Sequence, residues 1–270
     1  MALLSGCALG LPGTCLKPES HSHLLLTAKN IKKAFKGREI LHGVDISVAP
    51  GRITVLIGPS GSGKTTVVKA LSLLDCPESG TIIVDDQTYT FPRSKGLALK
   101  PPWPRLTVVF QQHFLWPHLT LRQNILLPIR GDQEPGASLE ELMRVFKMED
   151  FIDRYPNQVS MGERQRAALA RAFVLNPKYI LLDEITSALD IEQTSILLGH
   201  LLELRERGIG ILVVTHHLAF ARSLVGREEG DQIAFLEGGQ ILASGGRMFF
   251  EDQSNERVAR FLSAMQFTSI

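Results

Sequence analysis

The stretch Gly58-Pro59-Ser60-Gly61-Ser62-Gly63-Lys64-Thr65 holds the most specific arrangement of chemical groups in the chain. It matches the spacing G-x-x-x-x-G-K-[ST], in which a glycine-rich loop curls so that successive backbone N–H groups point at phosphate oxygens. The helix leaving such a loop adds its own unpaired N–H groups and the positive end of its dipole. Lys64 can then reach the β- and γ-phosphates, the Thr65 hydroxyl can ligate Mg²⁺, and Thr66 opens the helix beside them. This spacing predicts a site for a nucleoside triphosphate and Mg²⁺.

The elements that must position these groups show in the hydrophobic pattern on either side. Residues 53–57 are an apolar run that reads as a buried strand, and residues 66–74 have the periodicity of an amphipathic helix. Further along, Tyr179-Ile180-Leu181-Leu182-Asp183-Glu184 is an apolar strand that ends in two carboxylates. Chemistry on a parallel sheet collects at the carboxyl ends of its strands. Asp183 is therefore expected to hold Mg²⁺ through water, and Glu184 to take a proton from an attacking water. Residues 211–215 are equally apolar, as a central strand covered on both faces requires.

Residues 24–28 and 44–48 read as short strands with a turn at Lys36-Gly37-Arg38 between them, and residues 80–84 and 106–110 as two more. Four prolines, Pro92, Pro101, Pro102 and Pro104, predict an irregular excursion over residues 86–105. From about 118 to 175 the pattern is helical, with a capping box at Ser138 and Glu141 and a long helix over 161–174. Residues 231–236 and 240–243 flank Glu237-Gly238-Gly239 as a hairpin, and residues 255–265 form a closing amphipathic helix.

The totals narrow the function class. A chain of 270 residues with 44% hydrophobic and 21% charged content is an ordinary globular protein. A net charge of +1 offers no electrostatic case for nucleic acid or anionic lipid. No apolar run reaches the roughly 18–20 residues that span a bilayer. Cys7, Cys15 and Cys76 are scattered and odd in number, which argues against a disulfide framework or zinc site and fits a reducing cytoplasm. Leu4-Ser5-Gly6-Cys7 has the form of a lipoprotein cleavage box, but no basic residue precedes it and its apolar segment is too short for an export signal. Residues 1–23 are expected to be a loose N-terminal extension.

Further motifs follow in order, and with them the chain resembles the ATPase subunits of ABC transporters over about residues 24–266. The resemblance implies an α/β fold: a P-loop NTPase core, an antiparallel β subdomain, and an inserted α-helical subdomain at about 112–175. Phe35 matches the aromatic that stacks on adenine. Val108-Val109-Phe110-Gln111-Gln112 matches the Q-loop, with Gln111 taken as its glutamine near Mg²⁺ and the lytic water, and Gln112 as the competing choice. Val159-Ser160-Met161-Gly162-Glu163-Arg164-Gln165-Arg166 matches the signature usually written Leu-Ser-Gly-Gly-Gln, whose serine and N–H groups meet the γ-phosphate bound by a second subunit. Here Met161 and Glu163 depart from the pattern. A side chain at 161 would strain or obstruct that position if it needs φ > 0 or a bare backbone. Ser187-Ala188-Leu189-Asp190 matches the D-loop at the dimer interface, after an Ile185 where proline is usual. Thr215-His216 matches the switch histidine that bonds the γ-phosphate and orients Glu184. The neighbouring His217 stands where an acid is usual, and adjacent side chains on a strand point apart, which disfavours a two-histidine metal site.

Phe114-Leu115-Trp116-Pro117-His118-Leu119-Thr120-Leu121 resembles the surface that receives a transmembrane subunit's coupling helix. The residues around Asp183–Asp190 and the closing 255–262 segment look most like subunits of polar amino-acid importers. That implies a homodimer closing around two ATP, transmembrane permease partners, an indirect link to a substrate-binding protein, and a peripheral place on the cytoplasmic face of the inner membrane. It implies no nucleic-acid partner. The alternatives are a lipoprotein-release or other export system, a soluble ABC ATPase acting on ribosomes or DNA, and a non-hydrolysing nucleotide switch.

Overall fold

The computed structural model describes residues 25–93, 99–129, 136–186, 189–226, 229–252 and 254–267. Two sheets organise them. The first is antiparallel, in the order β2-β1-β4-β5, formed by β1 (Leu26–Phe35), β2 (Arg38–Val48), β4 (Ser79–Val84) and β5 (Gln87–Phe91). The second has the order β10-β9-β3-β8-β7-β6. Its strands are β3 (Ile53–Ile57), β6 (Leu106–Val109), β7 (Tyr179–Asp183), β8 (Gly210–Val214), β9 (Gln232–Glu237) and β10 (Gln240–Gly245). All its neighbours run parallel except the β9–β10 hairpin.

Every residue of β3, β7 and β8 is buried, which is why these strands read as unbroken apolar runs. One face packs α1 (Lys64–Leu71) and the antiparallel sheet. The other packs α4 (Met161–Phe173), α5 (Ile191–Glu206) and α6 (Leu218–Val225). Two shorter helices, α2 (Leu121–Leu126) and α3 (Leu139–Phe146), pack against α4, and α7 (Glu256–Phe267) closes the chain against α6. A buried ion pair braces the base of the sheet: Arg205 Nη1 lies 3.1 Å from Asp231 Oδ2, and Asp231 Oδ1 accepts the Ile53 N–H at 2.8 Å.

Three expectations are corrected. The first hairpin is much longer than two short strands: β1 and β2 pair from Leu26↔Val48 to Phe35↔Arg38 through several bulges, because Ile31, Lys33 and Leu41 bury themselves on the lysine-rich arms. Residues 86–105 are not wholly irregular, since Gln87–Phe91 pairs with β4 and buries Tyr89 and Phe91 before the first proline. At Ser138 only the hydroxyl half of the capping box forms, because the Glu141 carboxylate is drawn instead to Arg207 at 2.6 Å. The expected loose segment 1–23 lies outside the described residues, as do Ser187 and Ala188.

Candidate nucleotide site

Parallel pairing brings the chemistry together. Leu56 is level with Val214, and Val214 with Asp183, while Leu182 is level with Val109. The loops that leave β3, β8, β7 and β6 therefore emerge at one edge. They surround a cleft of about 410 Å³. Ser60, Gly61, Gly63, Lys64, Thr65 and Thr66 form one wall. Gln111 beyond β6, Glu184 beyond β7 and His216 beyond β8 form the other. Ile40 of β2 completes the wall, and no motif in the sequence points to it. Gln111 faces this cleft and Gln112 does not.

Within the glycine loop, Gly58 passes so close to β9 that a Cβ there would stand 2.0 Å from the Leu236 carbonyl oxygen. Gly61 has φ +77° and open space around it. Pro59, Ser60, Gly61 and Ser62 also border a second, adjoining hollow of about 250 Å³ that reaches Gly238 and Gly239. Ser62 Oγ is buried with no hydrogen-bond partner.

Lys64 folds over its own loop, donating to the Gly58 carbonyl at 2.9 Å and the Pro59 carbonyl at 3.0 Å. Burial lowers its pKa, against the opposing pull of Glu184 and Asp183. Its Nζ is 3.9 Å from Glu184 Oε1. The other Glu184 oxygen lies 2.6 Å from His216 Nδ1. Glu184 has φ +54°, a left-handed conformation rare for glutamate, which turns its carboxylate out of the strand line toward the cleft.

Asp183 is buried, and its Oδ1 has no hydrogen-bond partner. Burial pushes its carboxyl above the usual range, helped by the Glu184 charge and opposed by a hydrogen bond with Thr65 and by Lys64 and Lys69. A buried carboxylate oxygen lacking a partner beside a threonine hydroxyl suits a hard, oxygen-seeking cation such as Mg²⁺. Among the described residues no group of three or more His, Cys, Asp or Glu could hold a metal. An ion here would share one carboxylate and one hydroxyl with phosphate oxygens.

The remaining expected residues lie elsewhere. Phe35 ends β1 half exposed, outside the wall of the cleft, with the Lys33 ammonium 5.1 Å from its ring centroid. Ser160 and Asp190 are the N-caps of α4 and α5, accepting from the Glu163 N–H at 3.2 Å and the Gln193 N–H at 2.7 Å. The Glu163 carboxylate bonds back to the Ser160 N–H at 2.7 Å, a complete capping box. A Cβ on Gly162 would meet the Gln193 side chain at 2.8 Å, so the two helix starts abut there. Met161 is the first residue of α4 and does not have positive φ, which removes the strain half of the expectation about it and leaves the question of obstruction.

Several supporting contacts carry no obvious sequence signal. Ile185 is buried, and its carbonyl accepts from the buried Gln165 amide of α4. The Thr186 and Thr215 hydroxyls are 3.2 Å apart, and Thr215 Oγ1 accepts the His217 N–H at 3.0 Å. His217 caps α6, its Nδ1 accepting from the Phe220 N–H, which is work an acid could do in the same place. Phe114 and Trp116 stand exposed, and Phe110, whose ring meets Phe114, borders a mostly apolar groove of about 380 Å³ between β6 and α4.

Comparison with known proteins identifies the family. The family model described as ABC transporter matches residues 41–187. The chain is 36% identical over 247 residues to the L-cystine transport system ATP-binding protein TcyN of Escherichia coli (strain K12), covering 88% of this chain and 96% of that one. It is 34% identical to the arginine transport ATP-binding protein ArtM of Bacillus subtilis (strain 168), covering 88% and 98%. Against the glutamine transport ATP-binding protein GlnQ of Escherichia coli (strain K12) the identity is 33%, again covering 88% and 98%. Among solved structures, the dimeric bacterial ABC transporter cassette MJ0796 aligns with a TM-score of 0.67 at 30% identity, over 82% of this chain and 98% of that one. The same cassette in a post-hydrolysis state with ADP and Pi aligns with a TM-score of 0.67 at 28% identity, covering the same shares. The chain belongs to the ABC transporter family of ATP-binding cassettes and is an ATPase of that family.

Proposed function

We propose that this chain is the ATP-hydrolysing subunit of an importer for polar amino acids, working as a homodimer beneath two permease subunits. The observation that carries the hydrolytic half is the convergence of Lys64, Glu184 and His216 on one cleft, with Glu184 held between a lysine and a histidine. The relatives that transport cystine, arginine and glutamine support the cargo class. The exposed Phe114 and Trp116, with an apolar groove at the neighbouring Phe110, support a docked permease.

In this reading the glycine-loop N–H groups, Ser60, Ser62, Lys64 and Thr66 bind the phosphates, and Phe35 and Ile40 flank the nucleoside. Thr65, Asp183 and Gln111 would hold Mg²⁺, which shields phosphate charge when bound. Glu184 accepts the proton of the attacking water, and His216 fixes the carboxylate that does so. Ser160, Gly162 and Asp190 of a second copy close the site from outside. A substrate-binding protein would deliver cargo to the permease, and the chain would sit on the cytoplasmic face of the inner membrane.

The first test is ATP hydrolysis by the purified protein beside Glu184→Gln. Turnover that disappears in the variant while ATP binding persists is the expected result. Undiminished turnover would remove Glu184 as the base. For the cargo, uptake of labelled cystine, arginine and glutamine is compared in cells carrying the wild type or Glu184→Gln. Loss of none of the three would discard the amino-acid reading and leave the ATPase intact.

A further inference from the structure

Gln111 sits on a long irregular connection between β6 and α2, and a loop glutamine needs something to hold it in a cleft. Upstream, β6 is fixed by its pairing of Val109 with Leu182. Downstream, the restraint comes from a different element. Arg171, in the last turn of α4, donates from Nη2 to the His113 carbonyl and from Nη1 to the Phe114 carbonyl, both at 2.7 Å. Two short bonds from one planar guanidinium fix direction as well as distance. Phe114 has φ +47°, a conformation a phenylalanine holds only when its surroundings impose it. Its ring meets Phe110, the residue before Gln111, edge to face at 5.9 Å. Farther on, the buried Asn124 amide secures the same connection at Trp116, Leu119 and Thr120.

Arg171 also borders the apolar groove beside Phe110. One guanidinium thus touches the helix that Ser160 caps, the loop that carries Gln111 and the face that exposes Phe114. We propose that Arg171 is a positioning residue for ATP hydrolysis: by gripping the carbonyls of His113 and Phe114 it holds Gln111 in the cleft and ties that loop to α4. The inference rests on the reading of Gln111 as part of the hydrolytic site.

The test uses the full-length protein with Arg171→Met, Arg171→Lys, Gln111→Ala and the Arg171→Met/Gln111→Ala double variant. Misplacing a group by about an ångström slows turnover on the order of tenfold to a hundredfold, and Arg171→Met is expected to lower kcat by that much. KM for MgATP should stay within about twofold, since the phosphate-binding loop is untouched. Arg171→Lys, which can still donate to a carbonyl, should restore part of the loss. In the Gln111→Ala background Arg171→Met should cost nothing further, because both act through one group. Hydrogen exchange at residues 111–116 should quicken in Arg171→Met while amides within β6 and α4 keep their protection.

Multiplying losses in the double variant, or unchanged exchange over 111–116, would overturn the proposal. If Gln111→Ala leaves turnover intact, the reading of Gln111 is wrong and the inference falls with it. If Gln111→Ala slows turnover and Arg171→Met does not, only the clamp is wrong. Should Arg171→Met fail to fold, Arg171→Lys and its exchange pattern decide: wild-type exchange over 111–116 together with reduced kcat would defeat the clamp.

Discussion

Two glycines in the phosphate-binding loop are present for different reasons, and alanine at each should separate them. At position 58 a Cβ would lie 2.0 Å from the Leu236 carbonyl oxygen, more than an ångström inside van der Waals contact, and would also press on Ser62 Oγ at 3.1 Å. Neither side yields easily, because β3 and β9 are paired core strands in fixed register, with Ile57 level with Phe235. Overpacking of this kind costs about 1–3 kcal/mol, and the strained φ of +155° adds roughly 1–3 kcal/mol. At position 61 nothing lies within 4 Å, so alanine there meets only the left-handed backbone penalty of about 1–2 kcal/mol. At about 2–4 °C per kcal/mol, Gly61→Ala should lower Tm by a few degrees and Gly58→Ala by roughly 5–20 °C. Differential scanning calorimetry gives both shifts, and repetition with MgATP shows whether the loop still binds. Gly61→Ala should keep most of the MgATP-induced rise in Tm, whereas Gly58→Ala should lose it. Equal shifts in the two variants, or a wild-type Tm for Gly58→Ala, would show that the contact with Leu236 does not constrain the loop.

Other outcomes follow from the same geometry. Glu184→Gln should accumulate an ATP-bound dimer on size-exclusion chromatography, since the amide keeps the pocket and removes the base; a population that stays monomeric would count against closure around ATP. Met161→Gly should raise the ATPase rate by clearing a half-exposed side chain from the start of α4, and an unchanged or lower rate would show that the methionine obstructs nothing. Because Asp183 titrates above the usual carboxylate range, its buried charge opposes folding at neutral pH. That penalty is relieved as pH falls through the raised folded value. Without Mg²⁺, the gain in stability on acidification through that window should be present in the wild type and missing in Asp183→Asn. A bound Mg²⁺ favours the carboxylate, so MgATP should move the wild-type gain to lower pH. A metal-free wild-type profile that matches Asp183→Asn would contradict the assignment.

The core of the site was legible because buried parallel strands leave unbroken apolar runs, and each ends in a distinctive group: Gly58, Asp183, Thr215. The glycine spacing from 58 to 63 encodes a local backbone shape, so it needs no tertiary knowledge to read. What could not be read depends on contacts between distant segments. Arg171 and Asn124 are ordinary helix residues until the 113–120 connection folds against them. Ile40 walls the cleft only because the long β1–β2 arm swings over the loop, and that arm hides its strand character under surface lysines. The Ser138 spacing promised a full capping box, yet tertiary placement gave Glu141 a stronger partner in Arg207. The same Ser-x-x-Glu spacing at 160–163 does close into a full box, in a segment whose motif draws attention to phosphate instead.

That box has an electrostatic consequence for how two copies would meet. A serine hydroxyl has one proton to give besides the lone pairs it can offer. Capping uses a lone pair of Ser160, so its proton is still available to an arriving phosphate oxygen. The Glu163 carboxylate works in the opposite sense. It occupies the Ser160 N–H and sets a full negative charge in the first turn, where the bare helix end would otherwise attract an anion. Hydrogen bonds to Ser160 hold that carboxylate's pKa down, against the opposing effect of burial, so the charge persists at neutral pH. A triphosphate carried in by a second copy would meet a helix whose dipole is partly answered from within. Closure would then rest on the Ser160 hydroxyl and on the first-turn N–H groups that the box leaves unpaired, more than on the net field of the helix end.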